Sequence, residues 1–183
     1  FEQRILIGNA DEPLKITLTY TDVPGSPVTV PALVNDLDLE VLAPDGHVYR
    51  GNQFNVGESI ADAPGFDAIN NVEAVHLSAP VAGEYIVRIR ARNVPMDARR
   101  DSAAVDQDFA LVVSGSFAPP GTGIVTFDRP VYSAPSTINL RLVDYNLAGQ
   151  PNVAITLRTS SEANGENITL LASGTTGLFT GAV

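Results

Sequence analysis

The chain has no cysteine and no tryptophan, and only two of its 183 residues are histidines. Without cysteine, disulfides and thiolate metal sites are excluded, while the compartment stays open, because exported and cytosolic proteins alike can lack it. Without tryptophan, and with aromatics at 7%, the exposed rings on which sugars stack are scarce, which weighs against carbohydrate binding. No apolar run approaches the roughly 18 residues of a membrane span. An initiator methionine and a signal peptide are also missing: the sequence starts at Phe1 and is expected to be a piece of a longer protein.

The two histidines, His47 and His76, leave little for nucleophilic catalysis, which requires a serine proton to be taken by a histidine that a carboxylate orients. Neither lies near a nucleophile motif. A Gly-Thr-Ser-Met-Ala segment and a His-Glu-x-x-His helix are both absent. Both histidines therefore read as ordinary strand residues, and the chain itself is expected to be no enzyme.

What is present is acid and alternation. The net charge is −10, and most of it belongs to residues 1–118. A surface of that sign repels phosphate backbones, so nucleic acid is excluded as an expected partner. It suits divalent cations, or simple solubility.

Hydrophobic residues, 44% of the chain, recur with a period of two and nowhere with a sustained helical period. Gln3 to Ile7 reads as a first short strand. Leu14, Ile16, Leu18 and Tyr20 alternate with Lys15, Thr17, Thr19 and Thr21, up to the turn at Pro24-Gly25. Leu37, Leu39 and Val41 alternate with Asp36, Asp38 and Glu40, so one face of that strand goes to a core and the other carries three carboxylates. A turn at Pro44-Asp45-Gly46 and a partner strand from His47 to Arg50 follow. Further strands run from Asn71 to Leu77, through Tyr85, Val87 and Ile89, and through Phe109, Leu111 and Val113. The stretch from Asp97 to Asp106 has the composition for a single helical turn. Residues 51–70 read as one long loop containing Glu58, Asp62 and Asp67, and segments of that length are usually functional or mobile.

About seven short strands and no long helix predict an antiparallel jelly-roll β-sandwich or barrel over 1–117. Ser114-Gly115-Ser116 and Ala118-Pro119-Pro120-Gly121 read as a linker. Alternation restarts at Ile124–Phe127 and continues at Ile138/Leu140/Leu142, Val153/Ile155/Leu157 and Ile168/Leu170. This predicts a second, incomplete immunoglobulin-like β-sandwich over 121–183, ending on an exposed edge at Phe179-Thr180-Gly181-Ala182-Val183.

Two rows of charge need an account. If the strand with Asp36, Asp38 and Glu40 lies beside the one with Arg88, Arg90 and Arg92, cross-strand pairs of opposite charge explain both. That reading is preferred for Glu40. Asp36, at the strand's entry beside Asn35, is kept as a metal ligand or as a loop-fixing hydrogen-bond acceptor.

Residues 14–113 resemble the C-terminal β-barrel domain that follows the catalytic domain in a group of secreted bacterial subtilisin-like serine proteases. The resemblance rests on Pro13 to Asp22 with Pro24-Gly25, on Leu33-Val34-Asn35-Asp36-Leu37-Asp38-Leu39 and on Ala43-Pro44-Asp45-Gly46. It continues in Asn70-Asn71-Val72-Glu73, Gly83-Glu84-Tyr85 and Asn93-Val94-Pro95. Such domains usually carry tryptophan where this chain has Tyr20. The resemblance implies a jelly-roll accessory domain related in architecture to the P domain of proprotein convertases. The second part resembles bacterial immunoglobulin-like repeats through Val125-Thr126-Phe127-Asp128-Arg129, Val143-Asp144 and Ser173 to Gly181.

In domains of this kind the loop before Asn-Asn-Val-Glu is a place where calcium binds, and Asp67 keeps its position there. Gln53 departs from the acid that often follows Gly-Asn. The expected calcium ligands are Asp36, Asp62, Asp67 and Glu73, with a plain solvated loop as the alternative. No EF-hand spacing is present. Two functions stay open: a non-catalytic accessory region of an exported subtilisin-like protease, or a carbohydrate-binding or adhesive module of a bacterial surface protein. In the first, the partners are the catalytic domain of the same polypeptide and its protein substrate, and the location is extracellular or at the cell surface.

Overall fold

The alternating segments become antiparallel strands. A computed structural model describes residues 1–183 apart from Pro27, Thr29, Arg100, Ser102, Pro120, Ser161, Thr175 and the side chain of Glu162. Two units separate, Phe1–Phe117 and Ala118–Val183.

In the first unit the strands are β1 (Glu2–Ile7), β2 (Leu14–Thr19), β3 (Asp36–Leu42), β4 (Val48–Asn55), β5 (Glu58–Ala61), β6 (Val72–Leu77), β7 (Gly83–Asn93) and β8 (Ala110–Ser114). They form a five-stranded sheet in the order β1-β7-β3-β4-β5 and a three-stranded sheet in the order β6-β2-β8. Leu14, Ile16 and Leu18 of β2, Val75 and Leu77 of β6, Leu37, Leu39 and Val41 of β3 and Tyr85, Val87 and Ile89 of β7 are all buried in one core. Each set occupies alternate positions, so the period-two pattern delivers one face of every strand to the same interior. The unit is an antiparallel β-sandwich.

The acidic and basic rows do lie side by side. β3 pairs with β7, with Asp38 opposite Arg90 and Glu40 opposite Arg88. Glu40, only 7% exposed, takes Arg90 at 2.6 Å and Arg88 at 3.6 Å.

Three expectations are corrected. Residues 51–70 are not one structureless loop, because β4 runs on to Asn55 and returns as β5. Val56 and Gly57, both with positive φ (51° and 81°), make the two-residue turn between paired Asn55 and Glu58. Two left-handed central residues match the twist of a hairpin, and valine there hides that signal, since a β-branched residue is the least expected occupant of this conformation. The stretch 97–106 makes no helical turn among its described residues. It is an irregular loop closed by Ala98 N–H on the Asp106 carbonyl at 2.9 Å, and Arg99 reaches Asp101 rather than a helical neighbour.

The third correction lies in the second unit, where the strands are β9 (Ile124–Phe127), β10 (Asn139–Val143), β11 (Asn152–Thr159), β12 (Glu162–Ala172) and β13 (Leu178–Ala182). Their order is β11-β12-β13-β10-β9, so the terminal segment is an interior strand and not an exposed edge. Phe179, fully buried, fills the core with Leu140, Leu142, Ile168 and Leu170, and that burial holds β13 between its two neighbours. Among the described residues the only helical piece is a single 3-10 turn at Tyr145–Leu147. Pro120 of the expected linker, Thr175 of the repeat-like motif, and Arg100 and Ser102 of the 97–106 stretch lie outside the described residues. No helix among the described residues is long and apolar enough to cross a membrane.

Candidate metal centre

The β3–β4 ladder ends at Glu40 opposite Arg50. Past that pair β4 turns away from β3, and the next N–H along the β3 edge, that of Leu39, has no strand to meet. Glu73 fills the gap. It lies on β6 in the other sheet, on the same face as the core residues Val75 and Leu77, and its Oε2 accepts the Leu39 N–H at 2.8 Å. Gly51 makes the approach feasible: a Cβ there would stand 2.7 Å from the Glu73 Cβ and collide with its carboxylate.

Asp36, Asp38 and Glu73 thereby converge, one oxygen of each lying within 4.8 Å of the other two. Asp38 is 1% exposed and Glu73 0%. Asp36 Oδ1, Asp38 Oδ1 and Glu73 Oε1 are buried without a hydrogen-bond partner. Arg90, the residue opposite Asp38, turns to Glu40 instead, so cross-strand pairing accounts for Glu40 and leaves the two aspartates without an ion-pair partner in contact.

Burial pushes the Glu73 carboxyl up to about 8, against the Leu39 hydrogen bond and with the charges of Asp38, Asp67 and Asp36 adding to the rise. Burial likewise lifts Asp38 to about 6, helped by Asp36. Asp36 is raised by burial too, Arg92 opposing and Asp67 adding. Neither protonation state satisfies the cluster: an ionised oxygen is left without a donor, and a protonated one becomes a hydroxyl without an acceptor.

A cation would supply what is missing. Ligand oxygens around a calcium ion, each about 2.4 Å from it, lie no more than about 4.8 Å apart, and the three oxygens of this cluster all fall within that limit of one another. Its donors are all carboxylate oxygens, which suits a hard divalent ion and disfavours zinc or copper. Where such an ion binds, it offsets two of the three negative charges and relieves the penalty on the ionised forms.

The remaining residues expected at the site have other tasks. Asp67 lies outside the trio. Burial works against its charge, but hydrogen bonds from the Asn52 and Asn70 amides (2.5 and 2.6 Å) and from the Ile69 and Asn70 N–H groups outweigh this and lower its pKa. It is a clamp on the loop before β6. Asn52 completes the clamp, accepting the Ala74 N–H and donating to the Val72 carbonyl. Asp62 is not brought to the cluster: its carboxylate takes the Val48 N–H and the His47 ring at 2.7 Å, both side chains being half exposed. Loop fixing near Asn35 falls to Asp22, which accepts the Val34 and Asn35 N–H groups, rather than to Asp36. Asp38 is the member of the cluster that sequence reasoning missed, because its place in the acidic row looked like half of an ion pair.

The chain matches no protein-family model. Over 84 residues, 44% of this chain, it is 38% identical to the Dictyostelium discoideum protein named serine protease/ABC transporter B family protein tagA. It bears a link to a protease-named protein. The matched stretch is 5% of that relative's length, so the activity and partners of the whole relative are matters for proposal here.

The histidines of the first unit do not form a triad with a described hydroxyl. His47 meets Asp62, while His76 meets the Gly57 carbonyl through its ring and the Ser59 hydroxyl through its backbone N–H.

Proposed function

We propose that this chain is a non-catalytic accessory region of a subtilisin-like serine protease, exported from the cell, and that a calcium ion at Asp36, Asp38 and Glu73 ties its first unit together. The protease link rests on the 38% identity to a protein named as a serine protease. The calcium reading rests on the three buried carboxylate oxygens without partners. The role is mechanical: an ion at the seam of β3 and β6 joins two sheets of the sandwich, so the module's rigidity tracks calcium. Extracellular modules of this type work with affinities of about 10⁻⁴–10⁻³ M, matched to the calcium outside cells. The module stabilises the catalytic domain of its own polypeptide and assists substrate docking there.

The experiment is direct. The purified 183-residue chain is incubated with fluorogenic peptide and ester substrates and with a fluorophosphonate that labels activated serines. No turnover and no labelling are expected. Labelling of any serine, or hydrolysis that survives repurification, overturns the accessory reading.

A further inference from the structure

We propose that Arg92 is a tethered counter-ion of the cation site, holding its affinity for calcium down and keeping the cation-free form folded. This rests on reading Asp36, Asp38 and Glu73 as ligands. Asp36 stands opposite Asn93 and Leu37 opposite Ala91, so Arg92 is the extra residue of a β-bulge in β7. Bulges re-aim a side chain out of the regular alternation. The two regular members of the basic row are already paired, Arg90 with Glu40 and Arg88 with Glu2 and Glu40. Arg92 makes no ion pair among the described residues. Its guanidinium lies over the Phe66 ring at 5.3 Å from the centroid, and that of Arg50 lies at 4.9 Å from the same centroid.

Phe66 directly precedes Asp67, and the Asn52 and Asn70 amides hold that carboxylate in place. The stack holds the Arg92 charge over a residue next to that clamp, where it makes no ion pair with the acids among the described residues. The bulge sets Arg92 across from the Asp36–Leu37 end of β3, so its field acts on the entry of the acidic strand. A fixed charge so placed does two things of opposite sign. It repels an arriving divalent ion, and it balances the carboxylates when the ion leaves.

Calcium chloride is titrated into the full 183-residue chain by calorimetry, and melting is followed in parallel in chelator. R92Q is expected to bind calcium roughly three- to tenfold more tightly than wild type and to melt several degrees lower in chelator. R92K keeps the charge and is expected within about twofold of wild type. The gap between wild type and R92Q narrows in high salt, because the Arg92 side chain is exposed. Wild-type affinity in R92Q, or a lower one, overturns the counter-ion inference and leaves the site standing. If wild type shows neither calcium heat nor a chelator shift, the site reading falls, and this inference with it.

Discussion

Replacing Glu73 with glutamine is expected to stabilise the cation-free protein and to lose that advantage once calcium is supplied. The Glu73 carboxyl titrates near 8 in the folded chain against an ordinary 4.5, so the folded state holds this proton more tightly than the unfolded state does. Stability in chelator therefore falls as pH rises from about 4.5, and the full penalty is present above about 8. At 1.36 kcal/mol per pH unit, the penalty at pH 7 is on the order of 3 kcal/mol. Glutamine removes it while its amide oxygen still accepts the Leu39 N–H. In chelator at pH 7, Glu73→Gln is then expected to melt higher than wild type, by roughly 10 °C at about 4 °C per kcal/mol for a domain of this size. At pH 5 the two are expected to converge. With calcium at 100 times its dissociation constant, wild type gains about 2.7 kcal/mol by mass action, the variant loses a ligand, and the order closes up or reverses. Calorimetric melts at pH 5, 6, 7 and 8, with calcium and with chelator, read all of this. A variant that is less stable than wild type in chelator at every pH refutes the argument, since Glu73 would then be a structural acceptor with no buried-charge penalty to relieve.

Three further outcomes are expected. Gly51→Ala drives a methyl group into the Glu73 carboxylate, and calorimetry is expected to show calcium binding abolished, together with about 2–4 kcal/mol of lost stability from overpacking and displaced hydrogen bonding. Tyr20→Phe leaves the Asn35 carbonyl and the Leu37 N–H, which the Tyr20 hydroxyl bridges at 2.9 and 3.3 Å, without their partner. Denaturant melts are expected to show a loss of about 1–3 kcal/mol, and a loss under about 0.5 kcal/mol counts against that bridge. Val56→Asn is expected to raise stability by about 1 kcal/mol, because Val56, fully exposed with φ 51°, makes no contact that offsets its strained backbone, whereas Asn-Gly suits a turn of this type.

The sequence by itself determined the strands and their inward faces. Period two at Leu14/Ile16/Leu18 and at Leu37/Leu39/Val41 can be buried in only one way, and the cores contain those residues. It also paired the Glu40 row with the arginine row, since opposite charges at matching spacing fit adjacent strands, and it named Asp36 and Glu73, two of the three carboxylates that the fold brings together. Only the tertiary structure decided the rest. Alternation says which way a side chain faces but not where a neighbouring strand stops, and the site exists because β4 leaves β3 at Glu40 and Glu73 enters from the opposite sheet. That event spans 34 residues of chain between Leu39 and Glu73, and no local pattern encodes it. Asp38 was left without an ion-pair partner because Arg90 pairs with Glu40, and Asp62 went to His47 because the β4–β5 hairpin, masked in sequence by a valine at its turn, carried it there.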